Sequence, residues 1–129
     1  MVNKMTQEDK DLLLKDLCGR LPYEVKCEVY DRIGILDEVS SYGAAVNYSN
    51  GEDTTCRIEY VKPYLFPLSS MTEEQKEFLR QQNWCIAIST SGTVETTIEG
   101  LDWLNKNHFD YRGIIEKGLA IDATGLGIY

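Results

Sequence analysis

Between Val25 and Leu68 apolar and polar residues alternate in short runs, and this alternation limits the fold more than any other feature of the sequence. Val25, Cys27 and Val29 alternate with Lys26, Glu28 and Tyr30, the period of two expected of a strand with one buried and one wet face. Ala44, Val46 and Tyr48 repeat the pattern. Ser49-Asn50-Gly51-Glu52-Asp53 then turns the chain, and Cys56, Ile58 and Tyr60 return in phase as the second arm of a hairpin. The run Ile33 to Val39 is interrupted by Gly34, which predicts a bulge or bend, and Ser40-Ser41-Tyr42-Gly43 supplies a turn. Four or five short, curved strands within about 45 residues predict an SH3-like barrel or a strongly twisted antiparallel sheet.

Helical signals flank this segment. Thr6 is placed to cap a helix over 6–21, with Asp9 three residues later and Leu13, Leu14, Leu17, Cys18 and Leu21 at helical spacing. Gly19 and Pro22 are expected to end it, and Glu8, Lys10, Asp11, Lys15 and Asp16 to face water. Pro63 and Pro67 lack backbone donors and predict an extended connector where pairing stops. Thr72 and Gln75 form a capping box for a helix through Arg80, and Trp84 to Ser89 reads as a short strand bounded by Ser91-Gly92. Thr96 and Glu99 predict another helix start, with Ile98, Leu101, Leu104 and His108 on one face. Asp110 is expected to cap a last short helix, Tyr111 to Lys117, stopped by Gly118. The 129 residues therefore read as one α+β domain with an N-terminal helix, a small barrel or sheet over 24–68, and C-terminal helices with a short strand and tail over 72–129.

The formal charge of -8 repels phosphate backbones and anionic membranes, which argues against both as direct partners. Cys18, Cys27, Cys56 and Cys85 form no CxxC pair, and the first residues lack the basic-then-apolar run of a signal peptide, so buried, reduced thiols and a cytoplasmic setting are expected. With His108 the only histidine, no metal site is expected. The tail TGLGIY follows no strong strand and opens no helix, so its glycines suit a bend better than a phosphate loop, and no cofactor is implied.

His108, Asp110, Tyr111, Arg112 and Glu116 gather polar chemistry at one junction, where a histidine beside a carboxylate could act as a general acid or base. Structural duties compete for the same residues: His108 is in phase with the leucines, Asp110 serves as a cap, and Arg112 and Glu116 are spaced as an ion pair. No catalytic residue is assigned, and His108 and Arg112 remain binding candidates. Among eight tyrosines, Tyr48 and Tyr60 share the inward phase of the hairpin, whereas Tyr30 and Tyr42 are expected outside, available to a peptide or protein.

The stretches LCGRLPYEVKC (Leu17 to Cys27), YVKPYLFPLSSMTEEQKEF (Tyr60 to Phe78) and WLNKNHFDYRGIIEKGLAIDATGL (Trp103 to Leu126) resemble a family of small uncharacterised proteins of gut Bacteroides-group bacteria and their phages and prophages. The expected family form is LPYGVKC, so Glu24 stands here in place of a glycine. The resemblance implies no activity to transfer. Together these features predict a non-enzymatic accessory or protein-interaction module of a phage or mobile element, with an unidentified protein partner. The alternatives are an acidic mimic of nucleic acid, or a small enzyme or nucleotide-binding protein using the His108 region.

Overall fold

The computed structural model describes residues 5–89 and 93–129. The fold is α+β, and among the described residues it has three α-helices and a mixed sheet of seven strands that does not close into a barrel. Strands β1 (Lys26–Val29), β2 (Arg32–Ser40), β3 (Gly43–Asn47) and β4 (Asp53–Cys56) form an antiparallel meander. Its first turn, Tyr30-Asp31, has two residues at φ 51° and 63°, the left-handed pair that matches the twist of a tight hairpin. The irregularity expected at Gly34 lies further along. Pairing shifts between Leu36 and Glu38, leaving Asp37 as the extra residue, while Gly34 pairs regularly with Cys27 and gives the Tyr48 ring room to pack.

The proline segment departs most from expectation, because β5 (Lys62–Pro67) is a paired interior strand. It runs antiparallel to β1 and parallel to β8 (Phe109–Asp110) and β9 (Ile121–Asp122), which makes the sheet mixed. The hydrogen bonds explain how prolines fit. The Leu65 carbonyl accepts from the Ala123 N–H at 2.8 Å, and the Phe66 N–H donates to the His108 carbonyl at 2.8 Å. Alternate residues of a strand address opposite edges, so Pro63 and Pro67 share the β9 edge with Leu65. There the short β9 strand pairs with Tyr64 and Leu65 and asks for no donor from either proline.

Helix α1 (Gln7–Arg20) is capped by Thr6, whose hydroxyl accepts from the Asp9 N–H at 3.1 Å. Gly19 lies inside it, and Pro22 falls in the 3₁₀ turn Leu21–Tyr23 that follows. Its buried stripe is Leu13, Asp16, Leu17 and Arg20, so Asp16 turns inward, not to water, and Cys18 is exposed. The leucines belong to one core cluster with Cys27, Val29, Val46 and Leu65 from the sheet, Val25 and Val61 just before β1 and β5, and Ile114 and Leu119. The buried acid is tolerated because Arg20 Nε meets Asp16 Oδ2 at 2.7 Å, and Arg20 Nη2 donates to Asp16 Oδ1 at 3.1 Å and to the Phe109 carbonyl at 2.7 Å.

Glu24 ends the 3₁₀ turn at φ 55° and ψ 44°, so a side chain occupies a left-handed position that glycine adopts freely. The turn persists without the glycine. Glu24→Gly is expected to stabilise the chain by about 0.5–1 kcal/mol, a Tm rise of roughly 3 °C by calorimetry, with an unchanged or lower Tm counting against this account.

Thr72 and Gln75 form the expected capping box of helix α2 (Glu73–Gln82). The strand expected at Trp84 to Ser89 shortens to β6 (Ala87–Ile88), paired with β7 (Val94–Glu95), and the turn expected at Ser91-Gly92 lies outside the described residues. Helix α3 (Ile98–Lys106) begins one residue later than predicted, with Thr97 as its cap, and buries Gly100, Leu104 and Asn105 while Ile98 stays exposed. No final helix forms. Asp110 instead accepts from the N–H groups of Arg112, Ile114 and Ile115 at 3.0–3.1 Å and organises a string of turns. Rings of Trp84, Phe78, Trp103, Phe109, Phe66 and Tyr129 follow one another at centroid spacings of 5.6–6.3 Å, joining α2 and α3 to β5 and β8.

Candidate functional site

The four sequence candidates occupy three places. Tyr30 and Tyr42 sit at opposite ends of β2, whose nine residues span about 30 Å. Tyr30 packs at a tilt of 37° against Tyr60 with centroids 5.7 Å apart, both rings exposed, so Tyr60 is not the inward residue its phase suggested. The hairpin ladder ends at Cys56, and Ile58–Tyr60 turns away as a 3₁₀ segment that resets the alternation. Tyr48 is buried as predicted, with the Arg32 guanidinium 3.7 Å from its ring centre.

Tyr42 stands at the β2–β3 turn with 89% of its surface in solvent. It rims a groove of about 510 Å³ lined by Leu21, Asp37 to Ser40, Gly43 to Ala45 and Thr55 to Arg57. Tyr42 and Arg57 also line a second groove of about 290 Å³ that reaches Gln7, Lys10, Asp11 and Leu14 on α1. The two grooves therefore meet at a saddle made by these side chains. Sequence explains the depression: β3 offers Gly43, Ala44 and Ala45, side chains too short to fill the space between longer neighbours on β2 and β4. The small residues were legible; their alignment beside the bulge was not.

His108 and Arg112 lie around the buried Asp16–Arg20 pair. Arg112 does not pair with Glu116; its Nε lies 3.4 Å from Asp16 Oδ1, and the guanidinium sits 5.0 Å from the Tyr111 ring centre, with Arg20 at 5.1 Å. The Tyr111 hydroxyl donates to Asn105 Oδ1 at 2.8 Å, so this cluster locks α1 against α3. His108 does not ride on the helix face. It follows the helix at φ 63° and stacks on Tyr129 with centroids 3.8 Å apart and planes within 12°. The Tyr129 hydroxyl accepts from the Lys26 N–H at 2.9 Å and donates to the Tyr64 carbonyl at 2.8 Å, standing between β1 and β5 where they diverge. Lys26 Nζ fastens the same tail through the Ile128 carbonyl at 2.7 Å.

His108 is half-buried with Arg20 and Lys26 nearby, and burial followed by these two cations lowers its pKa from 6.5 to about 4. The folded chain thus holds a neutral imidazole that the unfolded chain protonates below pH 6.5. Stability is complete above that value and falls as pH drops toward 4. After allowance for partial exposure, the loss between pH 7 and 4.5 is expected to be about 1–2 kcal/mol. His108→Asn, which tolerates the left-handed backbone, should remove that part of the slope in urea unfolding; equal slopes for variant and parent would refute the assignment.

Neither groove includes His108, and the Asp110 carboxylate is occupied by three backbone N–H groups, which leaves it engaged away from the imidazole. Cys27 is fully buried and its thiol is pushed well above the ordinary range, first by burial and then by the negative charge of Asp16. Cys18 and Cys85 are exposed, contrary to the expectation that all four thiols are buried. A nucleophilic role finds no support at Cys27, since the thiolate is the reactive form. No protein-family model, curated protein or solved structure matches this chain, and the candidate site is defined by its own geometry.

Proposed function

We propose that this chain is a non-enzymatic protein-interaction module of a phage or mobile element, acting in the cytoplasm, and that it holds an extended segment of a partner protein in the grooves beside Tyr42. One observation carries the proposal: an aromatic ring 89% exposed stands on the saddle between two contiguous grooves. Tyrosine offers a large contact area at small entropic cost and is enriched at interfaces. Strand β4 pairs only with β3 among the described residues, so its outer edge can add a strand from a partner. The motif resemblance supports the phage setting.

The nucleic-acid mimic is less favoured because acids are interleaved with bases. Lys10–Glu59, Arg32–Glu52, Lys76–Glu73 and Arg80–Glu77 pair at 2.6–3.3 Å. Panning a bead-displayed random 12-residue peptide library against the folded chain tests the module. Enriched peptides are expected to bind Tyr42→Ala about 30-fold more weakly, the loss of one aromatic anchor. An exposed turn residue can be truncated without unfolding the sheet. Failure to enrich any peptide, or binding indifferent to Tyr42, would remove the proposal.

A further inference from the structure

We infer that the groove selects an extended segment carrying arginine, seated against Asp37 and Glu38. Resting on the binding role proposed above, this inference names the chemistry of the partner. The bulge makes Asp37 the residue without a ladder partner and sets Glu38 opposite Ala45, which is too short to reach either carboxylate. Both acids are exposed and line the larger groove, and neither has an ion-pair partner among the described residues.

The other charges of the two grooves have partners nearer to α1. Glu59 meets Lys10 Nζ at 2.9 Å and Arg57 Nη1 at 4.0 Å, and Asp11 accepts from Gln7 at 3.0 Å. Four carboxylates and two cations line the combined surface; Lys10 is held by Glu59, and Arg57, 78% exposed, reaches Glu59 only at 4.0 Å and borders the larger groove, so the net negative charge of the surface lies with Asp37 and Glu38 at the bulge. A cationic side chain is the complement. Arginine fits better than lysine, because its planar fork can donate to two neighbouring carboxylates at once. The net charge of -8 further disfavours acidic segments.

The test uses two bead-displayed libraries of equal size, one with arginine and lysine and one without, panned against the full chain, with binding of labelled hits read by fluorescence anisotropy. The basic library is expected to yield the tighter hits, with arginine recurring at one position. Asp37→Asn combined with Glu38→Gln keeps shape and removes charge; it should weaken these hits about 10-fold at 50 mM salt and about 3-fold or less at 500 mM. Replacing the recurrent arginine by glutamine should match that loss and add nothing in the double variant. Hits that lack cations, or bind the double variant as tightly as the parent, overturn the inference while leaving the interaction module standing. A self-associated dimer in sedimentation that hides Tyr42 also overturns it. If neither library yields a binder, the module fails as well.

Discussion

Asp16→Ala is expected to cost about 3–5 kcal/mol, a large part of the roughly 5–15 kcal/mol that holds a small domain together. The substitution removes few contacts of its own. Its effect comes from Arg20, whose side chain is fully buried and whose charge is balanced by Asp16 at 2.7 Å. Arg112 cannot substitute for the lost acid, since it brings a second positive charge to the same place, 3.4 Å from Asp16 Oδ1. Urea unfolding followed by circular dichroism measures the loss, and a cost under about 1 kcal/mol would show that Arg20 finds water or another partner.

The double variant Asp16→Leu with Arg20→Met separates the charge from the site. With both ions gone, the desolvation cost of a lone guanidinium disappears, and well-packed apolar side chains often replace a buried pair at little loss. Recovery should nevertheless be incomplete. The Phe109 carbonyl accepts from Arg20 Nη2 at 2.7 Å, and leaving it unpaired in the interior costs about 1–3 kcal/mol. The double variant is therefore expected to fall between the parent and Asp16→Ala.

Gly43→Ala is the second change with a large expected effect, about 3 kcal/mol of destabilisation. A Cβ at Gly43 would lie 1.9 Å from the Cys56 carbonyl oxygen and 2.9 Å from its carbon. These are backbone atoms of the paired strand β4, so no rotamer change relieves the contact, and the β3–β4 ladder must open at that end. Cys56 and Arg57 line the large groove beside Gly43, so peptide binding should weaken together with stability. Gly34→Ala serves as the milder comparison, because its nearest neighbours, the Asn47 carbonyl and the Tyr48 ring, would be 3.0–3.2 Å away and the ring can shift. Equal Tm losses for the two variants would contradict the steric argument.

Local signals in the sequence were reliable where their energy is local. Thr6 and the Thr72–Gln75 capping box act within one turn of backbone, and both appear as predicted. The alternation was equally readable in β1, where Cys27 and Val29 are buried between half-buried neighbours, but not in β3, whose first four residues are all buried, nor beyond Cys56. The misplacements share a cause. Asp16 looked like a surface acid until Arg20 and the Phe109 carbonyl, distant in sequence, surrounded it. Pro63 and Pro67 looked like strand breakers until the ladder placed their missing donors on an edge that asks for none. Of the site, Tyr42 was legible as an exposed aromatic, but the groove it rims joins 3₁₀-turn, hairpin and strand residues, and no periodicity announces it.

By itself the amino-acid sequence determined the α+β class, the N-terminal helix and its cap, the hairpin order between Val25 and Cys56, and the exposure of Tyr30 and Tyr42. Only the tertiary structure decided that the sheet is open and mixed, that β5 lies inside it, that Asp16 and Arg20 share the core, and that Asp37 and Glu38 stand unpaired at a bulge. The division follows from range. Caps and alternation are set by neighbours along the chain, whereas burial of a charge, tolerance of a proline edge and the depth of a groove depend on which distant segments arrive beside them.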